Sequence, residues 1–430
     1  MSWTLAAVAG ALLAYAAVSR RLAGTVVTAA IAFTAAGLLL GPDALGLIDL
    51  ERGSHTIRLL AEATLALVLF SDASRIDVAV LRREVTVPAR LLGIGLPLTI
   101  AAGTVLAALV VDALTWPEAL VLAIVLAPTD AALGQAVVTD RRLPSRVRQG
   151  LNVESGLNDG ICVPLLFIAL AIAEADEDLL SVHGAVHLVI EEIGWGIVGG
   201  VIAGAVGALV LRFAKRRGLV AEEWVQVIPL AAAALSYGLA APLGGSGFIA
   251  AFVGGLVFGV LHSSQEAGRV TYLVDATGQT LSAVTFIVFG AVALGPALGE
   301  LDWRIALYAV LSLTAARMLP VALALVGMHA RLPTVAYVGW FGPRGLASIV
   351  FAVIVLEGSE LAHVDVLITT VAITVALSVY AHGLTALPLT NLYVRWFSAR
   401  PEPPRMESAP AHEHRWRRPV LSPGAEPKAE

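Results

Sequence analysis

The chain is dominated by apolar runs that are too long and too numerous for a water-soluble core. Stretches of roughly 17–25 residues, broken by charged or Gly/Pro-rich joints, fall near 3–18, 24–40, 57–71, 88–111, 116–138, 147–174, 184–213, 224–242, 246–261, 278–298, 303–327, 334–356 and 364–390. Hydrocarbon offers no partner for a bare peptide group, so such runs cross it as helices. The expectation is an all-α polytopic membrane protein of about thirteen transmembrane helices. Composition agrees where it matters: 14% of residues are charged, against about 25% in soluble domains.

The distribution of arginine and lysine sets an orientation. Alternate joints hold Arg20 and Arg21; Arg75, Arg82, Arg83 and Arg90; Arg141, Arg142, Arg146 and Arg148; Arg212, Lys215, Arg216 and Arg217; Arg269; Arg331; and Arg395 and Arg400. The opposite joints hold Arg52, Arg58 and Arg304 among acidic runs such as 174–178. The positive-inside rule then predicts an external N-terminus, a cytoplasmic C-terminus and an odd number of spans in a cell (inner or plasma) membrane. The first run is followed, not preceded, by basic residues, so it reads as a retained span and not a cleaved signal. Residues 1–397 form the expected transmembrane domain. Residues 398–430, rich in Pro, Glu, Arg and Ala, read as a disordered cytoplasmic tail. The lone Cys162 excludes an intramolecular disulfide and a cysteine metal cluster.

Charge inside the apolar runs is where function is written. Residues 152–164 carry Glu154, Ser155, Asn158 and Asp159 at the head of an apolar helix. An ionised side chain at mid-bilayer costs about 2.5–3.5 kcal/mol, so two carboxylates within six residues need a reason. Ser155 and Asp159 are four apart and share a helix face; Glu154 and Asn158 form a second pair, rotated by about 100°. One face offers oxygen atoms to a cation, and the other braces the helix against a neighbour. The plain alternative is a polar helix end at the membrane surface.

Two further spans are broken. Pro128 interrupts the fifth, directly before Thr129 and Asp130; Gly342-Pro343 interrupts the twelfth, directly before Arg344. A proline removes one helical hydrogen bond and blocks another, and backbone freed inside a bilayer must find partners in protein, water or ions. Asp130 is read as a cation ligand or as a charge that neutralises an exposed helix end. Paired interruptions seven spans apart point to inverted repeats around a mid-membrane site. Arg344 cannot shed its charge, and Glu154 is its expected carboxylate partner, because Asp159 must stay free to exchange ions. Arg317, in the eleventh span, is a second buried cation with no assigned partner. Asp72, ending the third span, either reaches the site or marks the membrane boundary. His382 reads as a packed, hydrogen-bonded histidine. With no nucleotide-binding loop, His/Cys cluster or nucleophile–base pattern, an enzyme, a cofactor and a nucleic-acid partner are not expected.

Ala127-Pro-Thr-Asp130, Val153-Glu-Ser-Gly-Leu-Asn-Asp-Gly160, Gly244-Gly-Ser-Gly-Phe248 and Gly342-Pro-Arg-Gly-Leu-Ala-Ser348 together resemble the monovalent cation/proton antiporters, most closely the NhaP-like sodium/proton exchanger branch. The resemblance extends over about residues 1–395. It implies two inverted six-helix repeats with crossed, broken helices (the NhaA-like fold), core helices at about 88–174 and 303–390, interface helices at about 3–71 and 184–298, and a homodimer. It also implies that Na+ (or K+) and H+ meet at Asp159, with Thr129, Ser155, Asn158, Asp130 and Asp72 around it, and that Glu154 and Arg344 form a structural ion pair. Asn158 resembles the Asn-Asp pair of the electroneutral branch. A proton or a cation must neutralise the buried Asp159 before the core crosses the apolar centre, which makes exchange obligatory. Na+/H+ exchange is the leading expectation and Li+ a further substrate. K+/H+ exchange is the nearest alternative, and a sodium-coupled symporter or channel a more distant one.

Overall fold

A computed structural model of the chain describes residues 2–50, 53–76, 86–130, 133, 137, 140–174, 179–262 and 270–399. These residues form α1 (Ser2–Leu22), α2 (Ala29–Leu40), α3 (His55–Ser74), α4 (Thr86–Val110), α5 (Trp116–Val125), α6 (Ser145–Glu174), α7 (Leu179–Arg217), α8 (Glu222–Leu243), α9 (Gly247–Leu261), α10 (Tyr272–Gly299), α11 (Trp303–Ala324), α12 (Leu332–Trp340), α13 (Leu346–Gly358) and α14 (Val364–Ser398). There is no strand among them. Eight helices, among the described residues, are long and apolar enough to cross a membrane; α2, α5, α9 and α13 are apolar but shorter. The second half of the expected fifth span, apart from Leu133 and Val137, lies outside the described residues, as does the tail beyond Ala399.

Local chemistry explains the helix ends. Thr115 and Glu118 close a reciprocal capping box at the start of α5, which satisfies amide groups the first turn leaves bare. Thr28, Ser246 and Asp302 cap α2, α9 and α11. Prolines shape the interiors: Pro97 and Pro296 each follow a π-helical stretch, at Leu91–Gly95 and Phe289–Leu294. A ring without an N–H, set against the carbonyl one turn earlier, is relieved by opening the helix by one residue.

Between helices, small residues take over, because apolar side chains gain little from leaving lipid for protein. Gly200 and Gly204 of α7 lie against the backbone of Ala250 and Gly254 of α9, and Gly255 on the other side of α9 lies against the backbone of Phe70 in α3. A methyl group at Gly204 or Gly255 would overlap a neighbouring carbonyl. The helices α3, α7 and α9 are therefore packed backbone to backbone. The helices α5, α6, α13 and α14 pack into the main buried cluster, around Leu122, Leu166, Phe351 and Val375.

Candidate functional site: two crossed helix breaks

The helix α5 ends at Val125, and residues 127–130 run unwound; α12 ends at Trp340, and residues 341–345 run unwound before α13 begins at Leu346. The two interruptions lie side by side and answer each other's unmet hydrogen bonds. The Asp130 N–H donates to the Pro343 carbonyl at 2.8 Å. The Asp130 carboxylate accepts the Leu346 N–H at 3.0 Å. A carboxylate at the first turn of α13 also meets the positive end of that helix dipole. Of the two roles expected for Asp130, the neutralised helix end is the one this geometry displays.

The long helix α6 passes this crossing and presents Ser155, Asn158 and Asp159. The Asn158 Nδ2 donates to Thr129 Oγ1 at 2.7 Å. Thr129 Oγ1 lies 3.3 Å from Ser155 Oγ, and the Ser155 hydroxyl donates to the Thr129 carbonyl. All three side chains are buried. Asn158 spends its donor on Thr129, and its Oδ1 is buried without a partner among the described residues. An orphaned acceptor costs about 1–3 kcal/mol, so this oxygen has capacity for a cation or a water. Asp159 adjoins Asn158 and is one turn from Ser155, and it is partly exposed.

Asn152, Gly156 and Asp159 share one face of α6 at spacings of four and three and are partly exposed. A Cβ built on Gly156 would meet nothing within 4 Å. The same face is buried on both sides of this patch: at Arg148 and Gln149 toward Ser145, and at Val163, Leu166 and Leu170 toward the other end.

The expected Glu154–Arg344 pair is corrected by the structure. Glu154 Oε1 lies 2.6 Å from Arg317 Nη1, with both side chains almost fully buried; no ion pair joins Glu154 to Arg344 among the described residues. The reason is backbone geometry. Thr314, at φ −108° and ψ −85°, breaks α11 just before Arg317 and aims it at α6. Arg344 sits in the unwound segment between α12 and α13, and its Nη1 turns back to donate to the Gly342 carbonyl at 2.9 Å. The Arg317 guanidinium in turn lies over Gly342, where a side chain would collide with it. One glycine thus seats both cations.

A brace that the sequence did not foretell holds the twelfth-span break from α14. The Arg344 N–H donates to Ser378 Oγ at 2.7 Å. His382 lies with Nδ1 3.2 Å from that oxygen and Nε2 2.9 Å from the Trp340 carbonyl. Nδ1 also lies 2.9 Å from the Ser378 carbonyl, so a proton on either ring nitrogen finds a carbonyl acceptor. Trp340 stacks on the His382 ring at 4.8 Å. The signal for this was the polar series Thr370, Thr374, Ser378 and His382, which repeats every four residues of an apolar helix. As expected, His382 is packed and hydrogen-bonded. The ion pair described for Asp72 is with Arg75, at 3.8 Å, and Arg75 also pairs with Asp275 of α10. No described contact joins Asp72 to Thr129, Ser155 or Asn158.

These features define a class: a multi-pass helical membrane protein whose polar centre is built from two crossed helix interruptions and a third helix carrying Asn-Asp. Residues 8–392 match the family described as sodium/hydrogen exchanger, transmembrane. The chain belongs to that family, a family of transporters. A probable Na+/H+ antiporter of Schizosaccharomyces pombe is 26% identical over 251 residues, covering 55% of this chain and 33% of the relative. The K+/H+ antiporter NhaP2 of a Shewanella species is 29% identical over 248 residues, covering 58% of this chain and 42% of the relative. These matches span less than half the length of either relative. Among solved structures, the sodium proton antiporter MjNhaP1 of Methanocaldococcus jannaschii superposes with a TM-score of 0.71 at 20% identity, over 88% of this chain and 98% of that one. This likeness shows the fold.

Proposed function

We propose that the chain exchanges a monovalent cation, Na+ in the first instance, for H+ across a cell membrane, with both ions competing for Asp159. The observation that carries this reading is the placement of a partly exposed Asp159 beside Ser155 and Asn158, with Thr129 opposite and Asp130 engaged at a helix end. A lone carboxylate among neutral oxygens suits a singly charged, oxygen-seeking ion, Na+, Li+ or K+, held at Asp159, Thr129 and Ser155. Asn158 adds no second titrating group, so one cation moves per proton. Charge on Asp159 opposes passage across the apolar centre, and a bound ion of either kind removes it.

In the proposed working arrangement α4–α6 and α11–α14 form the moving core and the remaining helices a scaffold. The N-terminus lies outside, as the arginine distribution indicates. Two copies associate through scaffold helices, which carry large exposed apolar side chains such as Trp3, Leu13, Trp195, Ile202 and Leu209. A K+/H+ exchanger is the second reading, favoured by the similarity to the K+/H+ antiporter NhaP2.

The test uses the full chain in liposomes with an acidic lumen and an internal pH dye. Na+, Li+, K+ or choline is added outside in turn, with Asp159→Asn alongside. Alkalinisation by Na+ or K+, none by choline, and a silent variant support the proposal and name the ion. Proton movement that ignores every cation, or an active Asp159→Asn, refutes it.

A further inference from the structure

At the end of the seam far from the Ser145 end of α6, two polar contacts join the proposed scaffold to the proposed core among the described residues: Thr369 Oγ1 of α14 donates to Glu300 Oε2, just past α10, at 2.8 Å, and Arg58 meets Glu357. On α3, the Arg58 Nε lies 2.7 Å from Glu62 Oε1, one turn away. The same Nε lies 3.8 Å from Glu357 Oε2 in the last turn of α13. The Tyr237 hydroxyl of α8 donates to Glu62 Oε2 at 2.9 Å, so Glu62 is held by the scaffold on both sides and in turn holds Arg58. Glu357 arrives from the other body. Its side chain is 11% exposed, and its Oε1 is buried with no partner among the described residues. Arg58 is therefore its one ion-pair partner among those residues.

Beneath this contact the seam turns apolar. A cavity there is lined by Ile57 and Leu60 of α3, Val353 and Leu356 of α13, and Val371 and Ala372 of α14. Apolar surfaces of this kind slide past one another without breaking hydrogen bonds. The polar contact above them does not. The face of α6 that carries Asp159 is buried from Val163 to Leu170, so the conformation seen is closed on the side where Arg58 and Glu357 meet.

We infer that Arg58, Glu62 and Glu357 form a latch that closes the outer end of the core–scaffold seam and favours the conformation shut to the outside. Tyr237 and Glu62 preset the Arg58 guanidinium on the scaffold, and Glu357 docks on it when the core moves inward. Opening to the outside requires the pair to part. The inference rests on the alternating-access reading proposed above.

The experiment measures accessibility, not transport. In a Cys162→Ala background, reporter cysteines are placed singly at Gly156 and Leu166, and the full chain is reconstituted in vesicles of known orientation. A membrane-impermeant maleimide is then applied from either side. The pair is partly exposed, so removing its charge with Glu357→Gln is expected to lower cytoplasmic labelling of Gly156→Cys by about two- to fivefold, and to raise external labelling of Leu166→Cys by a similar factor. The charge-swapped pair Arg58→Glu with Glu357→Arg is expected to restore the parent pattern. Unchanged labelling in Glu357→Gln, a rise from both sides together, or a swapped pair that fails to restore the pattern would overturn the latch. Failure of the liposome exchange assay with an intact labelling shift would sink the ion assignment and leave the latch standing.

Discussion

The correction at Glu154 makes a quantitative prediction. Glu154 Oε1 and Arg317 Nη1 are 2.6 Å apart with almost no solvent contact. At an effective dielectric constant near 20, unit charges at that separation attract by about 6 kcal/mol. Desolvation of both groups offsets much of this, and removing one partner of a buried pair typically costs about 3–5 kcal/mol, because the other is stranded. Glu154→Gln and Arg317→Met are each expected to destabilise the protein on that scale. The double variant should lose far less than the sum, which leaves a coupling energy of about 2–3 kcal/mol, at the upper end for residues in direct contact. The control is Arg344→Met, which should combine with Glu154→Gln more nearly additively. Unfolding of the purified, detergent-solubilised protein, followed by thermal loss of the folded chromatographic peak and by denaturant titration, gives the four corners of each cycle. If Glu154 couples more strongly to Arg344 than to Arg317, the described pairing is wrong and the pair expected from the sequence is right.

Three further outcomes follow from the same geometry. Gly342→Ala places a methyl carbon 2.8 Å from the Arg317 Cζ, so it should destabilise strongly in the parent but be tolerated in an Arg317→Ala background, as thermal unfolding would report. Asp130→Ala removes the acceptor for the Leu346 N–H and should cost about 0.5–2 kcal/mol, whereas Asp130→Asn keeps an acceptor oxygen and should cost less; equal losses would deny Asp130 its capping role. In the 140–144 turn, the Arg142 guanidinium hydrogen-bonded to Asp140 holds that carboxyl below the usual carboxylate range. A lowered folded-state value means this tie is complete above the unfolded carboxylate range, near pH 4, and lost as acid titrates through the lower folded value. The protection of the Arg142 amide from hydrogen exchange, relative to its intrinsic rate at each pH, should therefore fall on acidification, since that amide donates to Asp140 Oδ1 at 2.9 Å, and Asp140→Asn should abolish that dependence.

Much of the site was legible because its parts obey one-dimensional rules. Pro128 and the Gly342-Pro343 step cannot continue a helix, so both interruptions were visible as letters. Helical spacing alone put Ser155 and Asp159 on one face and Asn158 with Glu154 on another; Asn158 entered the ion site only through the family resemblance. The Glu154 partner was not legible: the sequence pointed to Arg344 and left Arg317 unpaired, and the true choice depended on a backbone turn at Thr314, a residue type with no strong preference for breaking a helix. Pro320, six residues on, was the nearest available hint. Asp72 illustrates the opposite limit: its position near a boundary was readable, but its neighbour Arg75 and the tie from there to Asp275 cross between helices that no periodicity relates.

The Asn158–Thr129 hydrogen bond bears on how a second carboxylate could enter this site. Asn158 lends Thr129 a proton that an ionised aspartate does not possess. The substitution Asn158→Asp would set two acceptors against each other, and the Thr129 hydroxyl would have to swing round and become the donor. Its hydrogen would then turn away from Ser155, so a carboxylate at 158 would gain a negative charge at the cost of the Thr129–Ser155 contact. Adding a second carboxylate at 158 thus disturbs 129 and 155 as well, and a lineage that acquires it should alter these positions together.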